Sequence, residues 1–306
     1  MQAIQQIRNP KSHHAWMGAA WKIAAFACYA GLDGVARYLS GGVVSDIPAL
    51  PVYEIVFFQD LIAFLILLPW YFKSAAAWRL KHIPIHILRG VFSGVAVITW
   101  YFALFYLPLS DAVALSIVGP IMGVLIANWV LKEKLNIVRI ALISVSFIAT
   151  LFIMQTVDVL KANQANSLGV LFVLISAFCF AVAKITTRLL AQRGCGARML
   201  TLSLLLFIIP VSLIPALSQW TPISVDHLGW LSLAGLLTVL AIYCVSKALV
   251  FAEITFLAPF DICRFLFNSI VGYLAFTELP KLWALSTMMV FFALIAWNIK
   301  KSASTV

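Results

Sequence analysis

The chain is divided into long apolar runs that are separated by short polar connectors. A membrane-spanning helix needs about 20 mostly apolar residues, and ten such runs occur. We number them as predicted spans one to ten. They cover residues 16–39, 52–72, 85–107, 110–131, 135–156, 167–190, 198–218, 227–250, 254–277 and 281–299. The pattern predicts an all-α polytopic membrane protein with ten transmembrane helices and no inserted soluble domain.

Two of these spans are interrupted in a similar way. Span nine carries Pro259 just before Asp261 and Arg264, and span four carries Gly119 and Pro120 near its middle. A break frees backbone groups, which a membrane tolerates only where they line a protein cavity. Broken helices in both halves of a chain are typical of a transporter's binding site. We therefore interpret Gly119, Pro120 and Pro259 as hinge positions.

The two halves of the chain also share residues. Cys28 of span one matches Cys179 of span six at an offset of 151, and Gly90 of span three matches Gly235 of span eight at an offset of 145. Because each half holds an odd number of spans, the second half must enter the membrane from the opposite side. The sequence thus predicts two inverted five-helix repeats, residues 16–156 and 167–299, with tails at 1–15 and 300–306.

Composition and charge support this class. The chain is 63% hydrophobic, 10% charged and carries a net charge of +10, whereas soluble domains are about 25% charged. The basic residues lie in connectors rather than on a polar face, which argues against nucleic acid as a partner. Outside the membrane interior, nearly all of the basic residues fall on one side of the predicted topology, and the other side holds little beyond Lys161 and Lys281. The positive-inside rule therefore predicts an inner-membrane protein with both termini in the cytoplasm.

No catalytic chemistry is visible in the sequence. Zinc-ligand spacing, a phosphate-binding glycine loop and a nucleophile elbow are all missing from the pattern. The five cysteines are odd in number, and four lie in apolar runs, so we interpret them as packing residues. We expect no enzyme activity, no cofactor and no metal site. A small metabolite and the lipid bilayer are the expected partners, and a monomer and a homodimer both remain open.

Spans four and nine also carry a family resemblance. The stretches PLSDAVAL…GPIMGVLIANWVLKEKL and TFLAPFDICRFLFNSIVGYLAFTELP, each with a glutamate after the helix at Glu133 and Glu278, resemble the EamA branch of the drug/metabolite transporter superfamily. HILRGVFSG and the motif from Tyr101 to Leu104 are similar to bacterial S-adenosylmethionine uptake carriers of this superfamily. The resemblance implies a ten-helix inner-membrane carrier whose central cavity is lined by helices 1, 3, 4, 6, 8 and 9.

Charged residues inside apolar spans are costly and usually functional. Asp33 of span one and Lys184 of span six occupy repeat-related positions, so a direct ion pair between them is one hypothesis, as a gate or as a static contact. A second arrangement pairs Asp33 with Arg37 one turn away. In span nine, Asp261 and Arg264 either neutralise each other or line the cavity.

The remaining candidates are aromatic or lie at helix ends. Asn268 shares a helix face with Asp261 and Arg264. Glu54 and Asp60 begin span two, where we interpret them as charges of an outer vestibule. Lys247 shares a face with Tyr243 and is expected to extend towards the cytoplasmic interface. The candidate substrate-binding residues are Asp33, Trp100, Tyr101, Lys184, Tyr243, Asp261, Arg264 and Asn268.

These residues suggest a function. The sequence predicts a secondary transporter that moves a small polar or zwitterionic metabolite, S-adenosylmethionine or an amino acid, by alternating access. Arg264 and Lys184 would hold a carboxylate, and Asp261 or Asp33 would hold a cationic group beside the rings of Trp100 and Tyr101. A broad efflux carrier for drugs or aromatic metabolites is the alternative, and a non-transporting membrane scaffold is more remote.

Overall fold

The described parts of the chain are helical throughout. The computed structural model describes residues 12–41, 47–72, 82–116, 118–131, 164–217 and 220–277. In chain order the helices are α1 (Ser12–Leu39), α2 (Val52–Phe72), α3 (Ile83–Tyr106), α4 (Leu109–Leu115), α5 (Val118–Leu131), α6 (Gln164–Gln192), α7 (Ala197–Ala216), α8 (Val225–Phe251), α9 (Ile254–Leu257), a 3-10 turn (Ala258–Asp261) and α10 (Ile262–Phe276).

These helices follow the predicted spans closely. Spans one, two, three, six, seven and eight are the continuous helices α1, α2, α3, α6, α7 and α8. Spans five and ten, at 135–156 and 281–299, lie outside the described residues, as do Glu133 and Glu278. The all-helical class is therefore confirmed for the described residues, whereas the full set of ten helices stays a prediction.

Apolar length identifies several of the helices as membrane spans. Within the described residues, five helices are long and apolar enough to cross a membrane: Val52–Pro69, Ile83–Tyr106, Ser167–Gln192, Ala197–Ala216 and Val225–Phe251. Helix α1 is also long enough, with 28 residues, but it carries Lys22, Asp33 and Arg37. All three side chains are buried inside the protein, so this helix does not present charge to lipid.

Both interrupted spans are broken in the structure. Span four divides into α4 and α5 around Ser116, and span nine divides into α9, the 3-10 turn and α10. At an offset of 145 residues, α5 (Val118–Leu131) falls on residues 263–276, which end with α10 at Phe276. The two breaks therefore occupy equivalent places in the two halves of the chain.

Glycines allow the closest helix contacts, and these contacts occur in equivalent pairs. A Cβ atom on Gly90 of α3 would collide with Phe207 of α7, and one on Gly235 of α8 would lie 2.6 Å from Ile62 of α2. The four residues are related by one offset, since 207 − 62 and 235 − 90 both equal 145. The packing of α3 on α7 thus has its counterpart in the packing of α8 on α2.

A second pair of contacts involves the first helix of each half. A Cβ atom on Gly18 of α1 would lie 2.8 Å from Ala252 after α8, and one on Gly169 of α6 would lie 2.7 Å from Leu107 after α3. These residues are again equivalent, at offsets of 151 (169 − 18) and 145 (252 − 107). In both halves, small residues let the backbones of helices approach closely, as is common within membranes.

Candidate substrate-binding cavity

The described helices surround a central cavity of about 170 Å³. Its wall includes residues of α1, α3, α4, α6, α8 and the broken element α9–α10, which are the helices that the family resemblance implies. It also includes Gln59 and Asp60 of α2 and Leu204 and Ile208 of α7. The expectation that six helices line the cavity was therefore too narrow, because α2 and α7 also reach it.

Asp33 is the centre of one polar cluster. Its Oδ2 atom lies 3.1 Å from Nη2 of Arg264 and accepts a hydrogen bond from Asn268 at 2.9 Å. Its Oδ1 atom accepts a hydrogen bond of 2.7 Å from the indole nitrogen of Trp100. Because Asp33 is only 2% exposed, these three donors replace the water that would otherwise solvate its charge. The cluster joins α1, α3 and α10.

Aromatic rings cover the cation of this cluster. The guanidinium carbon of Arg264 lies 4.5 Å from the ring centroid of Trp100 and 5.7 Å from that of Tyr29. Both distances are within the range of cation–π attraction. The same indole therefore donates to the carboxylate of Asp33 and stacks on the cation that pairs with it, which fixes Trp100 between the two charges.

Asp261 forms the second cluster, with two lysines. Its Oδ1 atom lies 2.8 Å from Nζ of Lys22 and 3.8 Å from Nζ of Lys184. Lys22 also donates a hydrogen bond of 2.9 Å to the carbonyl of Leu257, the last residue of α9. A helix end leaves its final carbonyls without intrahelical partners, so Lys22 satisfies a group that the break exposes. The break and this cluster are thus one structural unit.

This pairing differs from the predicted one. The direct ion pair between Asp33 and Lys184 is wrong, since Asp33 pairs with Arg264 and Lys184 approaches Asp261. The alternative in which Asp261 and Arg264 neutralise each other is also wrong, because each pairs with a residue of another helix. Residues at equivalent positions of two repeats need not face each other. Here Asp33 and Lys184 both face the broken helix α9–α10 of the second half.

Two acids of α2 are also placed differently from the prediction. Glu54 and Asp60 are 0% and 1% exposed, so neither belongs to an open vestibule. Glu54 accepts a hydrogen bond of 2.7 Å from the backbone N–H of Thr221, which ties α2 to the segment before α8. Asp60 lines the cavity beside Gln59, whose Oε1 atom accepts a hydrogen bond of 2.9 Å from Tyr101.

Two predicted binding residues do not line the cavity. Asn268 lies behind its wall, where it supports Asp33. Tyr243 of α8 packs edge-on against Trp21 at 6.0 Å. It also lies 5.7 Å from Nζ of Lys247, which Trp21 and Phe251 flank as well. The other candidates, Asp33, Trp100, Tyr101, Lys184, Asp261 and Arg264, all line the cavity.

The predicted hinge residues lie at the two helix breaks. Gly119 is the second residue of α5. Its N–H donates a hydrogen bond to the carbonyl of Ser116, which lies between α4 and α5. Pro120 follows in the same turn. Pro259 lies within the 3-10 turn that separates α9 from α10. Ser116 and Asp261, which are related by the offset of 145, both line the cavity.

Lys22 is a charged residue of the cavity wall that the sequence interpretation missed. A signal was present, because Lys22 and Asp33 are 11 residues apart on one helix. Eleven residues make about three helical turns, so the two side chains share a face. A cation on the same face as a buried acid of a spanning helix is a candidate for the same cavity. Gln59 gave no comparable signal.

Within the described parts of the chain, no group of three histidine, cysteine, aspartate or glutamate side chains converges in a way that could hold an ion. The five cysteines are free thiols.

Comparisons with known proteins give a consistent class. Residues 16–155 match the EamA-like transporter family. The chain is 29% identical over 301 residues to a riboflavin transporter of Vibrio cholerae, covering 95% of this chain and 96% of the relative. A riboflavin transporter of Brucella anthropi is 26% identical, covering 85% and 90% of the two chains. An S-adenosylmethionine uptake transporter of Rickettsia prowazekii is 23% identical, covering 86% and 85%.

Fold comparison agrees with this match. One solved crystal structure covers 94% of this chain and 97% of its own, with a TM-score of 0.70 and 13% sequence identity. At that identity the similarity supports the fold alone. The named relatives are transporters, so the prediction of a membrane transporter rather than an enzyme is confirmed.

Proposed function

Since residues 16–155 carry an EamA-like transporter domain of the drug/metabolite transporter superfamily, we propose that this protein is a secondary transporter of a small metabolite. It works by alternating access in the inner membrane, with its substrate bound in the central cavity. The relatives named as transporters of riboflavin and of S-adenosylmethionine support a metabolite as substrate. Both termini lie in the cytoplasm, as the distribution of basic residues indicates.

The proposed architecture is two inverted five-helix repeats. Helix directions support it: α3 and α7 run in the same direction, because Gly90 lies at Phe207 and Gly94 at Val211. Helix α8 follows α7 after a short connector and so runs the opposite way. Helix α1 is antiparallel to α8, since Gly18 lies at Ala252 and Gly31 at Leu237. Helix α1 therefore runs in the same direction as α3.

The direction of α6 completes this argument. Gly169 of α6 lies at Leu107, and Ser176 of α6 donates to the carbonyl of Ala96. Residue numbers rise in one helix as they fall in the other, so α6 is antiparallel to α3 and hence to α1. The equivalent first helices of the two halves thus run in opposite directions, as an inverted repeat requires.

The charges of the cavity favour a neutral aromatic substrate. Asp33 pairs with Arg264, and Asp261 pairs with Lys22 and Lys184. The groups that were predicted to hold a zwitterion are therefore engaged with one another. Apart from Asp60, the rest of the wall is uncharged and includes the rings of Phe26, Tyr29, Trp100 and Phe180 and the polar side chains of Gln59 and Ser93. This internal pairing of charge is the observation that carries the substrate proposal.

Riboflavin fits this chemistry best among the substrates named for the relatives. Its flat ring system suits stacking on aromatic side chains, which adds about 0.5–1.5 kcal/mol per contact beyond the burial of area. Its hydroxyl groups suit Gln59 and the serine and threonine side chains. S-Adenosylmethionine carries a net positive charge and would meet the cations Lys22 and Lys184, which share a single carboxylate. We therefore place it second.

Transport into proteoliposomes tests the proposal. Purified protein is reconstituted, and uptake of labelled riboflavin, S-adenosylmethionine and tryptophan is compared with that into empty vesicles. We expect saturable uptake of riboflavin, competed by unlabelled flavin, and weaker uptake of the other two. Uptake of S-adenosylmethionine alone would contradict the substrate proposal while leaving the transport proposal intact. If uptake of all three compounds equals that into empty vesicles, both the substrate proposal and the transport proposal are contradicted for these compounds.

A further inference from the structure

Asp60 is a buried acid in the cavity wall that takes part in neither charged cluster. Its side chain is 1% exposed, and its Oδ2 atom has no hydrogen-bond partner. Among the described residues, no cation pairs with it. The cations that line the cavity are engaged elsewhere, Arg264 with Asp33 and both lysines with Asp261. An ionised carboxylate in this position would be strongly unfavourable, because neither water nor a counter-ion compensates its charge.

The helices around α2 give Asp60 a largely neutral surrounding. In the described cavity wall, α7 and α8 contribute uncharged residues. Helix α3 contributes Tyr101, which is bonded to Gln59. Helix α1 contributes Tyr29 and two groups that are already paired, Asp33 with Arg264 and Lys22 with Asp261. None of these groups supplies an unpaired positive charge. The neutral form of Asp60, with a proton bound, is therefore the form that this arrangement accommodates.

A second polar group without a partner lies on the neighbouring helix. The Oγ1 atom of Thr238 in α8 is buried and has no hydrogen-bond partner, and Thr238 lines the same cavity. One turn earlier, Gly235 packs against α2, where an added Cβ would lie 3.2 Å from the carbonyl oxygen of Gln59. Two adjoining helices thus each direct a buried polar group without a partner into the same space.

We infer that Asp60 is the proton-binding site that couples transport to a proton gradient, an inference that rests on the proposed transport function. The acid keeps its proton while the surrounding helices enclose it. When the cavity opens to one side of the membrane, water reaches Asp60, the O–H bond breaks, and the proton passes to that compartment. A metal cation is a poor alternative, because it requires about six oxygen ligands and these described surroundings offer few.

A flux experiment and a spectroscopic experiment test this role. In proteoliposomes of the wild-type protein, a gradient of one pH unit should concentrate riboflavin about tenfold if one proton moves with each substrate. Asp60→Asn keeps the shape of the side chain but cannot titrate. We expect this variant to exchange riboflavin across the membrane without a gradient, yet to lose the tenfold accumulation. A pH-sensitive dye inside the vesicles should report proton movement with the wild type and none with the variant.

Infrared spectroscopy gives a result that does not depend on the substrate. At neutral pH the wild-type protein should show the absorption of a protonated carboxyl group that is lost in Asp60→Asn. Glu54→Gln is the matched control, because Glu54 is another buried acid of α2 whose Oε2 atom likewise has no hydrogen-bond partner. Its Oε1 atom accepts a hydrogen bond from Thr221, and the side chain is not part of the cavity wall. This variant should keep both the accumulation and the absorption band that Asp60→Asn loses. If Asp60→Asn fails to fold, Asp60→Glu should move the absorption band and retain accumulation.

Separate outcomes distinguish the two proposals. If riboflavin is not transported but the infrared band behaves as expected, the substrate is wrong and the proton site stands. Riboflavin transport with unchanged accumulation in Asp60→Asn would overturn the proton site alone. Dependence of wild-type flux on a sodium gradient rather than on pH would also overturn it, as would an infrared band that neither Asp60→Asn nor Asp60→Glu alters.

Discussion

Arg264 and Asp33 join the broken helix α9–α10 to the first helix, α1. The Nη2 atom of Arg264 lies 3.1 Å from the Oδ2 atom of Asp33, although 231 residues separate them in the chain. Lys22, 11 residues before Asp33 (33 − 22), forms the other connection, to Asp261. At 1.5 Å per residue, the two connections lie about 16 Å apart along α1. Movement of α1 against the broken helix would strain both.

Removal of one partner of the Asp33–Arg264 pair should destabilise the protein strongly. Asp33→Asn leaves the guanidinium of Arg264 without its counter-ion, and breaking a buried pair in this way costs about 3–5 kcal/mol. The double variant Asp33→Asn with Arg264→Gln removes both charges and should recover much of that loss. Thermal unfolding in detergent gives the coupling energy. Additive effects of the two substitutions would contradict a direct pair.

Changes at Arg264 should affect substrate binding as well. Arg264→Lys keeps the charge but loses the planar group that stacks 4.5 Å from Trp100. We expect folded protein with a lower affinity for riboflavin, because Trp100 loses the contact that holds its ring in the cavity wall. If all of that cation–π energy, at most about 2 kcal/mol, were reflected in binding, the affinity would fall about 30-fold. Arg264→Leu should insert into the membrane but transport poorly. Quenching of flavin fluorescence measures the affinity, and wild-type affinity in Arg264→Leu would exclude a role of this residue in binding.

The two lysines at Asp261 should respond differently to substitution. Lys22→Met removes the contact of 2.8 Å and leaves the carbonyl of Leu257 unsatisfied, so it should lower the thermal stability. Lys184→Met removes only the contact of 3.8 Å from a side chain that is 30% exposed. Its stability should stay close to that of the wild type while its transport changes. Equal loss of stability in both variants would show that the shorter contact has no special structural role.

Close helix packing predicts the effect of glycine substitutions. Gly235→Ala places a methyl group 2.6 Å from Ile62, and Gly90→Ala meets Phe207 in the equivalent contact, so both should destabilise the protein. Gly229→Ala is the control. Gly229 lies in the same helix as Gly235, but a Cβ atom added there would point into open space. There alanine should be neutral or stabilising by up to about 1 kcal/mol. The thermal unfolding midpoints of the three variants are compared. Unchanged midpoints in both Gly235→Ala and Gly90→Ala would argue against close helix packing at these glycines.

Membrane orientation is open to a direct test. A reporter fused after Val306 should behave as cytoplasmic, and a tag placed between residues 158 and 164 should be reachable from outside the cell, because the basic connectors lie on the other side. Labelling with a reagent that does not cross the membrane measures both. Access to both positions from outside would contradict the predicted orientation.

Sequence alone predicted the described helices and the two places where a span breaks. Apolar length and proline are local properties, and a bilayer accepts few structures besides helices, so span two was predicted with the bounds Val52–Phe72 that the structure has. The offsets of 145 and 151 also came from local similarity. These features need no knowledge of which helices are neighbours.

Only the tertiary structure decided how the charges pair. Sequence spacing shows which side chains share a helix face, but the partner on another helix depends on how each helix is rotated and packed. Close glycine contacts are part of that packing, such as Gly34 of α1 at Val271 of α10 and Gly235 of α8 at Ile62 of α2. In the packed bundle Asp33 meets Arg264 and Lys22 meets Asp261, while Asp60 lies in the wall of the cavity without a cation. These residues are far apart in the sequence. The free energy of helix packing selects their partners, and a local sequence pattern cannot predict that choice.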